Sequence, residues 1–330
     1  MVPHIVLTTL LLAGSPERVD NPRSAPHRAT IAMEEMWRVG GLSEEPDELF
    51  GVILDVGVDS EGSVYLLDMQ LAEVKVFDRE GRFVRRIGRS GEGPGEFTRP
   101  YSLCFLDDGR LCVMQPAPAR LSLFTPDGGY AGKLPLAADI EAGFQYLSRI
   151  RSRGAGIVVE GLTVTSGEGY MDQTSRISRI DGDGTTVDYA SASRRIEFAR
   201  PVVRERETRM LQWTLGREGR VYVTSGFDFE ISVFGRDGSL QRVIARDYEH
   251  RKRSDAEMEA MRAYFVRGGG TQGSTIEIMP YDRDVQWFEL DDGGRLWVLG
   301  SHGANHLPPD TIGVFDVFEG GRLTIELRLE

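Results

Sequence analysis

The sequence predicts an all-β fold, a β-propeller of four-stranded antiparallel blades, and three observations carry the prediction. Between Ile53 and Leu136 one motif is written twice, as four apolar runs separated by acidic-Gly turns and a loop. The same motif returns twice in the C-terminal half. Its runs consist largely of Val, Leu, Ile, Phe and Tyr, which suits strands buried on both faces between stacked blades.

The first copy reads ILDVGVD, SEG, SVYLLD, then EVKVFD, REG, RFVRRIG; the second reads YSLCFL, DDG, RLCVMQ, then ARLSLFT, PDG, GYAGKL. Each Gly marks a reversal, because a tight hairpin needs a residue at positive φ and Asp or Asn beside it caps the turn. Further copies run from Met210 to Ala245 and from Asp284 to Leu327, with a weaker one from Arg149 to Ala190. Five units result, a fixed repeat within a single domain over residues 31–330.

Residues 1–15 hold a short apolar run before Ala13-Gly14-Ser15, the pattern of a cleavable signal peptide, although the n-region carries no Lys or Arg. This predicts a periplasmic or extracellular protein, the alternative being cytoplasmic. Residues 16–30, rich in Pro, Arg and Ser, read as a linker. Ile31 to Val39 then reads as an outer fourth strand without its own first three. The following MWRVGGLSEEPDELFG aligns with RRIGRSGEGPGEFTRP of the first copy. A six-bladed ring with an incomplete last blade accounts for this, since a terminal strand that completes a blade removes exposed edges.

The run IGRSGEGPGEFTRP, a hairpin, and VFDREG resemble the signature of bacterial six-bladed β-propeller proteins of the NHL-repeat type. The resemblance covers roughly Ile31 to Leu327 and is strongest in the first two units and the last. It implies the propeller fold. Some propeller relatives are lactonases or amidating lyases with a metal at the channel mouth, but their ligand sets have no counterpart here beyond His302 and His306. Fold alone does not license an activity.

A net charge of −12 argues against nucleic acid or an anionic membrane surface as partner, because phosphate binding needs a basic footprint. No apolar run approaches the ~20 residues a transmembrane helix takes. The glycines of GEGPG shape a turn, since neither the Lys-Ser/Thr of a P-loop nor the dinucleotide spacing is present. No Gly-x-Ser-x-Gly elbow occurs. Cys104 and Cys112 flank one hairpin and read as small buried hydrophobes, with a disulfide as the alternative.

Blade topology puts the minimal hairpins on one face and the long insertions, Arg89 to Pro100, Glu160 to Thr174, Ser191 to Arg209, Arg246 to Asp284 and Gly300 to Asp310, on the other. Long loops on a rigid scaffold are where binding sits. The candidates there are Arg89, Arg99, Tyr101, Arg120, Tyr170, Phe227 and Trp287. One insertion predicts a helix: Ser254-Asp255-Ala256-Glu257 is a capping box, Met258, Met261, Tyr264 and Phe265 form a stripe, and Gly268 to Gly270 stop it. That stripe either packs on the scaffold or forms a lid.

Two functions are compatible with these residues. The first is a non-catalytic interaction scaffold, monomeric and without cofactor, presenting its loops to a protein, peptide or glycan. The second is a metal-dependent lyase or hydrolase, lactonase-like, using zinc or calcium at His302 and His306, to which further ligands would have to be added.

Overall fold

Acidic side chains at the turns set the strand boundaries. Asp59 accepts hydrogen bonds from the backbone N–H groups of Glu61 and Ser63, both at 2.9 Å, and Asp78 accepts those of Glu80 at 3.0 Å and Arg82 at 2.9 Å. The turn glycines Gly62, Gly81, Gly109, Gly128, Gly238 and Gly294 all adopt positive φ, as hairpin chemistry requires. A computed structural model describes residues 15–41, 45–136, 146–154, 156–181, 185–199, 201–208, 211–267, 274–305 and 307–330. Those residues form an all-β propeller with five four-stranded antiparallel blades evident.

The chain divides into two compact units. The first contains Glu34–Thr163 and Arg176–Asp188; the second contains Met1–Met33, Val164–Ser175 and Tyr189–Glu330. In chain order the described strands begin with β1 (Glu17–Asn21) and β2 (His27–Ile31), which belong to the second unit.

In the first unit, β3 (Ile53–Val58), β4 (Val64–Asp68), β5 (Glu73–Phe77) and β6 (Phe83–Ile87) make the first blade. The second blade is β7 (Ser102–Phe105), β8 (Leu111–Pro116), β9 (Ala119–Phe124) and β10 (Tyr130–Leu134). Tyr65, Leu67, Val74, Val76, Leu103 and Val113 pack together between them, while Cys112 and Met114 on the other face of β8 pack with Leu147, Ile150 and Val159, so β8 is buried along its whole length. Cys104 and Cys112 face each other directly across β7 and β8 and are free thiols. A hydrogen bond to Cys112 and burial push the Cys104 thiol well above its ordinary value.

Burial on both faces does not hold everywhere. One side of β3 is open, with Leu54, Val56 and Val58 exposed, while the outer part of that blade is covered by the preceding segment. There Trp37 and Phe50 pack on Phe77, and the fully buried Lys75 donates to the carbonyls of Pro46 and Leu49.

The third blade is β11 (Tyr146–Ser152), β12 (Ile157–Gly167), β13 (Tyr170–Ile180) and β14 (Thr186–Glu197). The expected long loop at Glu160 to Thr174 is therefore corrected. It is the distal part of a hairpin between two 11-residue strands, and most of Ser191 to Arg209 continues as β14, β15 (Val202–Arg204) and α1 (Glu205–Thr208). Thr in TVTSG and TSRIS, with its high β-propensity, and the Ser residues of TSRIS, buried within the blade, continue both strands as polar residues, where an apolar-run search sees no strand.

In the second unit, β16 (Gln212–Leu215), β17 (Val221–Thr224), β18 (Glu230–Phe234) and β19 (Leu240–Arg246) form the fourth blade. A helix α2 (Asp255–Arg267) and the short β20 (Thr275–Glu277), which pairs with β15 in parallel, follow. The fifth blade is β21 (Val285–Leu290), β22 (Leu296–Gly300), β23 (Gly313–Glu319) and β24 (Arg322–Leu329), with α3 (Ser301–Ala304) after β22. Phe229, Ile231, Ile244, Phe288, Val298 and Phe318 pack between these blades.

The N-terminal strands correct the expected arrangement. The strand is His27–Ile31, not Ile31 to Val39, and it adds to β24 in parallel as a fifth strand. Likewise β1, inside the segment whose composition suggests a linker, adds to β19 in parallel. Buried Asn21 anchors this strap: its Nδ2 donates to Ala245 O at 2.9 Å and Gly321 O at 3.0 Å, and its Oδ1 accepts from Leu323 N at 2.7 Å. Both edges are thereby covered.

Candidate functional site

In the second unit, the connection between β19 and β21 builds a cavity of about 680 Å³. Its start is an antiparallel bridge, with Arg253 N donating to Pro280 O and Asp282 N to Arg251 O, both at 3.0 Å. This pairing brings five charged side chains into one place. Arg253 makes a bidentate pair with Glu205 at 2.6 and 2.7 Å, and its Nε donates to Asp282 at 2.7 Å. Arg251 reaches the second oxygen of Asp282 at 2.8 Å and also pairs with Glu257.

Both Arg253 and Glu205 are buried. Burial pushes the Arg253 guanidinium down, but Glu205 and Asp282 offset this and hold it above its ordinary value. Glu205 also accepts from Met279 N at 3.0 Å, so the cluster ties α1, the bridge and the approach to β21 together. Planar bidentate pairing is what guanidinium supplies and ammonium does not.

Over this floor lies α2. The capping box forms as the sequence indicates: Ser254 N donates to Glu257 Oε2 at 2.8 Å and Glu257 N to Ser254 Oγ at 3.3 Å. The Gly268 to Gly270 stop lies outside the described residues. No residue of the helix is fully buried, and Met258, Met261 and Phe265 of its stripe are half-buried. Ala260, Met261, Tyr264 and Phe265 wall the cavity together with Gln212, Gln286 and Asn305. Tyr264 is 67% exposed.

Of the sequence candidates, Phe227 lies closest to this chemistry. It is buried in the β17–β18 loop, with the guanidinium of Arg283, a cavity residue, 4.7 Å from its ring centre and that of Arg206 at 5.3 Å. Trp287 and Tyr170 stand elsewhere: Trp287 lies within β21 against Phe315, and Tyr170 lies within β13 under Arg195 at 4.0 Å. In the first unit Arg89, Arg99, Tyr101 and Arg120 gather around one loop. Arg89 pairs with Glu96 at 2.7 Å, Arg120 donates to Glu96 O at 2.9 Å, Arg99 N donates to Gln115 at 3.2 Å, and Tyr101 meets Tyr146 edge-on.

His302, on α3, is engaged through Nε2 with Glu249 O at 2.8 Å, and its backbone N–H donates to Tyr248. His306 lies outside the described residues. Among the described residues no group of three or more His, Cys, Asp or Glu side chains is placed to hold a metal ion.

Sequence reasoning passed over His250. Its Nδ1 lies 2.9 Å from Oδ1 of buried Asp284, an arrangement that orients an imidazole. The Asp284 hydrogen bond and charge raise the His250 pKa, while burial raises that of the Asp284 carboxyl. The His250 midpoint in an NMR titration is therefore expected above the ~6.5 of a free imidazole, and to return toward it in Asp284→Asn. Any stability from the raised His250 pKa is fully present below ~6.5 and is lost as the pH rises through the folded-state midpoint. A midpoint at or below the free value would mean that the pair does not form. The signal in the sequence was the charge density of HRKR and YDRD within one insertion, which a search for ligand spacing ignores.

Comparisons with known proteins agree on the architecture. A model of a family described as 6-bladed beta-propeller matches residues 46–119. Among solved structures, the chain is similar to a protein of Bacteroides fragilis at 13% identity and a TM-score of 0.50, over 92% of this chain and 77% of that one. It is also similar to a streptogramin B lyase (13%, TM-score 0.42, 80% of this chain) and to virginiamycin B lyase from Staphylococcus aureus (13%, TM-score 0.40, 81% of this chain). The chain spans 64% of the length of the first lyase and 69% of the second. No curated protein matches the sequence. At these identities the likeness is one of fold.

Proposed function

We propose that the protein is a non-catalytic interaction scaffold whose second unit takes a peptide segment of a partner in the cavity beneath α2. The observation that carries this reading is the division of labour inside the cavity. Its buried carboxylates and guanidiniums are spent on one another, whereas exposed Tyr264 and half-buried Met261 and Phe265 wall the space together with Gln212, Gln286 and Asn305, whose amide nitrogens are held by Val285 O, Arg283 O and Ser301 O. Aromatic and Met side chains supply contact area, and amides match the donors and acceptors of a peptide backbone. Its volume falls within the range of ligand pockets, ~300–1,000 Å³. Arg89, Arg99, Tyr101, Arg120, Tyr170 and Trp287 remain proposed contacts for the same or further partners.

The test uses purified full-length protein and a random peptide-display library. Peptides enriched on the native protein are expected to lose at least tenfold in affinity for Met261→Asp/Tyr264→Asp, with an unchanged unfolding midpoint because neither side chain is buried. Equal binding to the double variant would remove the cavity from the interface.

One observation favours a second reading, a lyase or hydrolase working beside the same connection. A half-exposed imidazole held by a buried carboxylate has the form of a general base. Its test is turnover of lactone and peptide substrates, with and without added zinc or calcium, compared between the native protein and His250→Gln. Equal turnover by the two would leave this reading without its base.

A further inference from the structure

The second blade of the first unit holds another site, and the sign pointing to it is one amide. Gln115, on β8, is 3% exposed. Its Oε1 accepts three hydrogen bonds from the loop before β7: Thr98 N at 2.7 Å, Thr98 Oγ1 at 3.0 Å and Arg99 N at 3.2 Å. Two of those donors are backbone N–H groups and cannot accept, so the amide cannot be turned over. Its Nε2 is thereby directed away from the loop, and it has no hydrogen-bond partner among the described residues. A buried donor left unmade is costly, and an acceptor seated in the adjoining cleft would meet it.

Gln115 lines a cleft of about 540 Å³. Pro118, Leu121, Leu134 and Leu136 give the cleft an apolar surface, and Arg120, Lys133 and Glu92 are its charged members. Arg120 donates to the carbonyls of Glu92 and Glu96 and makes no ion pair among the described residues, so its charge is not neutralised by a carboxylate there. Lys133 is exposed on β10 and makes no ion pair among the described residues. Two cations against one carboxylate give the cleft a positive balance in a chain of net charge −12.

We infer that this cleft binds a carboxylate carried on a short apolar body, with the carboxylate accepting from Gln115 Nε2 and facing Lys133 and Arg120, and the body lying on the Leu and Pro surface. A neutral carbonyl could satisfy the amide but not the charge balance. The site is separate from the cavity under α2, so it stands or falls independently of the scaffold reading.

The probe is hexanoate, measured by ligand-observed NMR and calorimetry on the full chain at low salt, with hexanamide and hexanol as controls. Hexanoate is expected to bind at least tenfold more tightly than either control, and to weaken as salt is added. Gln115→Glu keeps an oxygen for Thr98 and Arg99 but replaces the donor with a repelling oxygen, and is expected to cost at least tenfold in affinity. Lys133→Met, on the exposed rim, leaves folding intact and is expected to cost severalfold and to flatten the salt dependence. Equal binding of hexanoate and hexanamide would overturn the carboxylate assignment. Absence of binding, or binding unchanged in both variants, would overturn the site and leave the amide to an ordered water.

Discussion

Arg253→Met is expected to lower the unfolding free energy by about 3–5 kcal/mol, the range for breaking a buried ion pair by removing one partner. Arg253 neutralises Glu205 on one side and Asp282 on the other, at 2.6 to 2.7 Å, and both it and Glu205 are buried. Without it two carboxylates remain in a poorly solvated place with one fewer cation. The loss should be partly recovered by adding Glu205→Gln, because the second change removes the stranded charge. Urea unfolding of the single and double variants measures both numbers. A loss below about 1 kcal/mol would place the cluster among exposed pairs, which are worth little. Because α2 is capped by Glu257, which Arg251 also holds, the same variant should loosen the wall of the cavity and weaken peptide capture.

The second large effect is expected at the N-terminal strap. Asn21→Ala should cost about 3 kcal/mol, since it strands the N–H of Leu323 and the carbonyls of Ala245 and Gly321, and each buried unpaired group costs ~1–3 kcal/mol. Asn21→Asp keeps the acceptor for Leu323 but turns a carboxylate oxygen on two carbonyls. It is expected to be no better at neutral pH. Hydrogen exchange should then show the amides of Val19 and Arg242 to Arg246, which lie along the strap and its partner strand, losing protection before the rest of the fourth blade. Uniform loss across all blades would mean that the strap and the blades open as one unit.

Much of the blade pattern was legible because it is local. An apolar run, an Asp and a Gly within four residues specify a strand and its reversal, and the turns at Gly62, Gly81, Gly109 and Gly294 follow that rule. Ser254 and Glu257 are three residues apart, so the start of α2 was equally readable. Reading failed where polar residues continue a strand, as from Val164 to Ser175, and where one strand pairs with a distant one in parallel. No turn announces β1 or β2; their register on β19 and β24 is fixed by contacts such as Asn21 to Leu323, 302 residues apart. The candidate sites divide the same way. The charged residues of the β19–β21 connection are visible one by one, but their pairing is not.

The sequence by itself determined the repeat, the turns, the capped helix and the acidic net charge, since each depends on residue types within a few positions or on summed charge. The tertiary structure alone decided that Arg253 meets Glu205 across 48 residues, that His250 meets Asp284, and that the Gln115 amide is held with its nitrogen unmet among the described residues. Those arrangements depend on where rigid strands deliver distant side chains, and burial, which sets their energetics, exists only once the blades have packed.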